Sequence, residues 1–161
     1  MAMHTWFECK IRYEKVMENG MQKKVTEPYL VDALSFTEAE ARIIEEMTPF
    51  ISGEFTVSDI KRANYSELFP SDEESADRWF KCKLIFITLD EKSGAEKKTS
   101  TQVLVQAADL RDAVKKLDEG MKGTMADYVI ASVAETALMD VYPYDGEPNV
   151  KPEFPDAGKT E

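Results

Sequence analysis

Near its N-terminus the chain alternates between apolar and polar residues, as a half-buried β-strand does. Over residues 4–16 one side of the predicted strand is apolar or aromatic, and the other side carries most of the charge. Asn19-Gly20 follows, a dipeptide that favours a tight hairpin because both residues tolerate positive φ. A second strand is predicted at about residues 21–33, where Pro28 lacks a donor N–H and so indicates an edge or a bulge.

The pattern then changes to a helical period. Ser35-Phe-Thr-Glu38 is a capping box, in which the serine side chain accepts a hydrogen bond from the backbone N–H of the glutamate. Apolar residues at helical spacing share one face of the predicted helix: Phe36, Ala39, Ile43 and Met47. Pro49 ends the helix, and a long strand at about residues 54–69 completes a ββαβ unit.

This pattern occurs twice. WFECK at residues 6–10 returns as WFKCK at 79–83, and these two copies contain both tryptophans and both cysteines of the chain. Residues 55–72 align with 128–145 in the same way, and both segments end in an acid, an aliphatic residue, an aromatic residue, Pro, any residue and Asp. We interpret the repetition as an internal duplication.

The second copy predicts the same elements in the same order. Its strands are expected at about residues 78–89 and 96–107, followed by a helix capped by Asp109 and a last strand at about 127–142. In a mainly antiparallel sheet the third strand of each unit is expected beside the first, and each sheet is expected to bury one face under its helix. The predicted fold class is therefore α+β, with two ββαβ units in pseudo-twofold relation.

The predicted domain organisation follows the repeats. The first unit covers residues 1–70 and the second covers 78–145, with an acidic linker at 71–77. About 70 residues alone make a marginal domain, so it stays open whether the two units share one core. Residues 146–161, which are rich in Pro, Gly and charge, are expected to form a flexible tail.

Composition points to a protein with a packed core and no membrane span. Of the 161 residues 43% are hydrophobic, yet no apolar run approaches the roughly 20 residues needed to cross a bilayer. The first residues lack the apolar core of a signal peptide, so we expect a cytoplasmic protein with reduced cysteines. The net charge of −11 repels a phosphate backbone and disfavours a nucleic-acid partner.

Few residues suit a catalytic or metal site. The single histidine, His4, lies near the terminus, and the sequence contains no zinc, calcium or phosphate-loop motif. We therefore assign no catalytic residue, no metal and no cofactor. The 31 acidic residues leave one remote alternative, an enzyme that acts through carboxylates at the repeat interface.

One set of residues suits a binding surface. On the strand side away from the Phe and Cys residues, each copy carries an aromatic ring and two cations: Trp6, Lys10 and Arg12, then Trp79, Lys81 and Lys83. Many modules use this combination to stack bases and hold phosphates. The alternative is that each Trp closes the core edge or packs between the units, with the cations as ordinary exposed residues.

Three parts of the sequence resemble an uncharacterised domain-of-unknown-function family of the DUF4494 type: the long run at residues 6–43, LVQAADLRDA (104–113) and ETALMDVYPY (135–144). The most distinctive part of the long run is VDALSFTEAEA (31–41). The resemblance covers nearly the whole chain and implies an origin in gut anaerobic bacteria and their phages or mobile elements. It implies no activity and no catalytic residues. Small acidic proteins of such elements often bind host or phage proteins.

The leading hypothesis is a non-enzymatic binding protein that acts through protein–protein interaction. Single-stranded nucleic-acid or nucleotide binding through the aromatic and basic sheet face is the alternative. A membrane partner is not expected, and the oligomeric state stays open.

Overall fold

The computed structural model of the protein describes residues 5–143. This part of the chain is α+β, with two helices and two four-stranded, mostly antiparallel sheets. In chain order the elements are β1 (Trp6–Val16), β2 (Gln22–Asp32), α1 (Phe36–Met47), β3 (Phe55–Ala63), β4 (Glu67–Phe69), β5 (Arg78–Leu89), β6 (Glu96–Ala107), α2 (Leu110–Gly120), β7 (Asp127–Glu135) and β8 (Val141–Tyr142).

The first sheet has the strand order β3-β1-β2-β8. β1 pairs antiparallel with β2 and β3, so the third strand lies beside the first as predicted, and β8 pairs parallel with β2. The turn between β1 and β2 contains Gly20 at φ 81°, a conformation that favours glycine. Ser35 caps α1 by accepting a hydrogen bond from Glu38 N at 3.1 Å. The core between sheet and helix includes Phe7, Cys9, Ile11, Val31, Ala39, Ile43 and Met47.

The second sheet has the order β4-β6-β5-β7 and repeats this arrangement. β5 pairs antiparallel with β6 and β7, while the short strand β4 pairs parallel with β6. Asp109 caps α2 by accepting a hydrogen bond from Asp112 N at 2.9 Å. The core of this sheet includes Phe69, Phe80, Cys82, Leu84, Val105, Ala113 and Leu117.

The predicted long third strand of each unit was wrong, because each one is broken into two strands that belong to different sheets. β3 ends at Ala63, and residues 67–69 then join the second sheet beside β6. β7 ends at Glu135 in the same way, and residues 141–142 join the first sheet beside β2. An alternating pattern shows that a segment is a strand, but it does not show which sheet edge the strand joins.

The chain accordingly divides into two compact units that differ from the predicted repeats. Within the described residues, one unit contains 5–64 together with 137–143, and the other contains 65–136. Residues 71–77 are exposed except for the half-buried Ser71 and the buried Ala76. The predicted flexible tail, residues 146–161, lies outside the described residues. The pseudo-twofold relation stays a prediction.

Candidate binding surface

Both tryptophans lie on the sheet face opposite the helix, which we call the helix-free face. Strand alternation places Trp6 and Trp79 on this side, because Phe7 and Phe80 point into the cores under the helices. The predicted side is therefore right, but the residues are only 4% and 5% exposed. Neither indole offers an open ring on which a base could stack.

The helix-free face of the first sheet is balanced in charge. Lys10 is directly opposite Asp59 on β3, and Glu8 is opposite Lys61. Directly opposite side chains have Cβ atoms roughly 4.5–5.5 Å apart, so unlike charges here partly neutralise each other. The remaining predicted cation, Arg12, is exposed between two threonines on the flanking strands.

The helix-free face of the second sheet carries cations without such neighbours. Lys81 is opposite Ala134 on β7 and Leu104 on β6. Lys83 is opposite Ser132 on β7 and Gln102 on β6. Both lysines are exposed, and within residues 5–143 neither takes part in an ion pair. The structure thus separates two sets of cations that look equivalent in the sequence.

Three substitutions between the repeats account for this difference, and the first is that Lys81 stands where the first copy has Glu8. Where the first sheet has Asp59 and Lys61, the aligned positions of the second sheet have Ser132 and Ala134. The repeat alignment contains this signal, but it becomes informative only once the register shows which residues are opposite the lysines. We call Lys81, Lys83, Ser132 and Ala134 the lysine patch.

Charged pairs also occur at the borders of this sheet. Arg78 at the start of β5 lies 3.7 Å from Glu135 at the end of β7, measured from Nη1 to Oε1. Both side chains are about half exposed, and a pair of this kind contributes about 0.2–1 kcal/mol at most. It leaves the charge of the lysine patch unchanged.

A second polar cluster lies on the helix side of the first sheet. Glu27 accepts hydrogen bonds from the hydroxyls of Tyr13 at 3.0 Å and Tyr29 at 3.3 Å, and Lys15 Nζ lies 3.6 Å from its other oxygen. Burial, together with this carboxylate, raises the pKa of both tyrosines, so they stay protonated at neutral pH. Every partner in the cluster is satisfied, which is typical of a structural network.

The remaining groups with shifted pKa values do not form a catalytic set. Burial raises the pKa of the Cys9 thiol to about 12 and that of Cys82 to about 11, so neither is a ready nucleophile. Burial also raises the pKa of Glu67 and of Asp140, which are single carboxylates in different units. Among residues 5–143 no group of His, Cys, Asp or Glu is arranged to hold a metal.

Within the described part of the chain, no helix is both long enough and apolar enough to cross a membrane.

Comparison with known proteins identifies a family but no characterised relative. Neither the curated proteins nor the solved structures contain a significant match. The family described as Domain of unknown function (DUF4494) matches residues 5–144, and the chain therefore belongs to this family.

Proposed function

We propose that this protein is a non-enzymatic, cytoplasmic binding protein that acts through protein–protein interaction, in a phage or mobile-element setting. Its contact surface is the lysine patch on the helix-free face of the second sheet. The observation that carries the proposal is that Lys81 and Lys83 are exposed and have no carboxylate opposite them, whereas Lys10, which aligns with Lys83, faces Asp59.

The lysine patch is a local exception to the overall charge of the chain. With a net charge of −11, the protein repels most acidic partners over most of its surface. A local pair of cations then selects the orientation in which a partner approaches, because complementary charge governs specificity and association rate. The partner that suits the patch is therefore an acidic protein surface.

Single-stranded nucleic acid is the second candidate, because lysines also hold phosphates. The buried indoles weigh against it, since sequence-tolerant binders gain much of their affinity by stacking bases on exposed aromatic rings. We expect an oligonucleotide to leave tryptophan fluorescence unchanged at low salt. Strong quenching that disappears at high salt would favour nucleic acid over a protein partner.

The test is a pull-down of the tagged protein from a native host lysate, with and without nuclease, followed by mass spectrometry. The wild type is compared with a Lys81→Ala/Lys83→Ala variant and with a matched Lys10→Ala/Arg12→Ala variant of the first sheet. We expect a stoichiometric protein that survives nuclease, is lost with the first variant and is kept with the second. A partner that disappears with nuclease, or that both variants retain, would contradict the proposal.

A further inference from the structure

Strand β7 is an edge strand without a charged residue over positions 128–134. Exposed edges usually carry charges or proline, which hinder other chains from pairing with the free N–H and C=O groups. The other edge strand at this place in the repeat, β3, carries three charged residues from its midpoint onward: Asp59, Lys61 and Arg62. Between Asp127 and Glu135 β7 carries no such charge, so its protection comes from a β-bulge alone, and Val129 and Ile130 on it are 49% and 37% exposed.

A β-bulge divides β7 into two halves. The register between β5 and β7 shifts between Lys83 and Leu84, which leaves Ala131 without a partner on β5. A bulge interrupts the ladder and bends the strand, so a strand added at the edge fits one half at a time. The half formed by residues 132–135 lies beside Lys83 and Lys81.

The side chains between this edge and the lysines are small. Ser132 is the β7 neighbour of Lys83, and Ala134 is that of Lys81. Adjacent strands lie about 4.8 Å apart, so a strand added to β7 would lie about 10 Å from β5. A lysine and a glutamate side chain reaching towards each other over two short residues can span this distance.

We propose that residues 132–135 bind an extended acidic segment of another protein by strand addition, with its alternate Asp or Glu side chains meeting Lys81 and Lys83. In this mode main-chain hydrogen bonds provide affinity and alternate side chains provide specificity. Charge complementarity selects an acidic segment, because the lysine patch has cations and no carboxylate of its own. The one carboxylate of residues 132–135, Glu135, is opposite Phe80 and lies 3.7 Å from Arg78. The inference rests on the proposed function, since both use the same lysines.

The direct probe is a fluorescein-labelled peptide in which Glu alternates with Val, with binding measured by fluorescence anisotropy at low salt. We expect the Lys81→Ala/Lys83→Ala variant to bind about fivefold more weakly, as two exposed ion pairs of ordinary strength would imply. The matched Lys10→Ala/Arg12→Ala variant should bind like the wild type. Equal binding by all three proteins would overturn the proposal.

A second pair of peptides tests the backbone pairing. Each carries N-methyl groups on one of the two alternate sets of amides, which removes hydrogen-bond donors and keeps every carboxylate. We expect one of them to lose most of its binding. If both bind like the parent peptide, strand addition is overturned while the lysine patch stands. If no peptide binds, the acidic-segment proposal is overturned, and the pull-down decides the proposed function independently.

A third comparison restores the charge balance. Ser132→Asp places a carboxylate opposite Lys83, as Asp59 is placed opposite Lys10, and should weaken peptide binding about as much as removing one lysine. Thr56→Asp on β3, which places a carboxylate opposite Arg12 on the first sheet, is the matched control and should leave binding unchanged. A single-stranded oligothymidine that binds more tightly than the peptide and loses affinity in the lysine variant would overturn the proposal in favour of nucleic acid.

Discussion

The ring of Phe69 lies directly against Gly120, so closely that a Cβ atom placed on the glycine would be 2.9 Å from two of its carbons. Phe69 ends β4, the short strand that joins the second sheet, and Gly120 ends α2. The ring belongs to the core of that unit and is 8% exposed. The absence of a side chain at residue 120 therefore makes room for the strand that crosses into this sheet.

Gly120→Ala should destabilise the protein even though alanine is the better helix former. Alanine gains about 1 kcal/mol of helix propensity over glycine. Forcing a methyl group against a buried ring costs typically about 1–3 kcal/mol, so we expect a net loss of up to about 2 kcal/mol. Urea unfolding followed by tryptophan fluorescence measures it.

Glu119→Ala, on the exposed neighbouring residue, is the control and should change little. A double variant with Phe69→Leu, which trims the ring, should show a coupling free energy with Gly120→Ala. Additive effects of the two substitutions would mean that the contact with Phe69 is not the cause.

Lys116 of α2 holds the chain that follows β4. Its Nζ lies 3.1 Å from Ser71 Oγ, 2.9 Å from Glu73 Oε1 and 3.1 Å from Asp112 Oδ2. Burial alone would lower the pKa of Lys116, but hydrogen bonds to the two carboxylates raise it overall. We expect Lys116→Met, which keeps the aliphatic stem, to lower the free energy of unfolding by about 1 kcal/mol. The exposed Lys115→Met should have no effect; equal urea midpoints for both variants would contradict this role.

Glu67 should make the protein less stable as the pH rises. Partial burial raises its pKa above the usual 4.5, so the folded protein binds the proton more tightly than the unfolded chain does. The stabilising contribution of the protonated Glu67 carboxyl group is therefore complete below pH 4.5. It is lost as the pH rises through the pKa that this group has in the folded protein.

Glu67→Gln, which stays neutral, should accordingly be more stable than the wild type at neutral pH and should lose this advantage at about pH 4. Urea unfolding of both proteins at the two pH values is the measurement. The exposed Glu74→Gln serves as the control and should follow the wild type. An advantage that is the same at both pH values would exclude ionisation of Glu67 as the cause.

The two thiols should resist modification in the native protein. Cys9 and Cys82 are free and fully buried, with pKa values raised to about 12 and about 11, mainly by burial. We expect a thiol reagent such as dithionitrobenzoate to react slowly at neutral pH and rapidly after unfolding in guanidinium. Each of the single variants Cys9→Ser and Cys82→Ser keeps one thiol, so comparing them gives the rate of modification of the cysteine in each unit. Rapid reaction of either thiol without denaturant would contradict the described burial.

Much of the local structure was predictable because its causes are local. The expected strands at residues 78–89 and 96–107 match β5 and β6, and both expected caps, Ser35 and Asp109, accept the expected hydrogen bonds. Pro28 was expected at an edge or a bulge; it lies outside the two residues of β2 that pair with β8, but its carbonyl accepts a hydrogen bond from Met139 N at 2.9 Å, so this position is not an open edge. Periodicity and capping act over a few residues, so a single sequence contains them.

The candidate site was only half predictable. The sequence placed Lys81 and Lys83 on the correct side of their strand, as it did Lys10. That Asp59 faces Lys10 while Ser132 faces Lys83 depends on the pairing of strands far apart in the chain. A one-residue change in register would have placed other residues there, and the bulge makes the register irregular.

The sequence by itself determined the element types, their order and the two helix starts, because each depends on neighbours along the chain. Only the tertiary structure decided that residues 67–69 leave the strand before them and pair with β6, and that Trp6 and Trp79 are buried. The physical reason is that strand pairing and burial depend on contacts between residues that are far apart in the sequence. Such contacts exist only in the folded chain. The room beside Gly120 is one example, since residues 69 and 120 meet only in the folded unit.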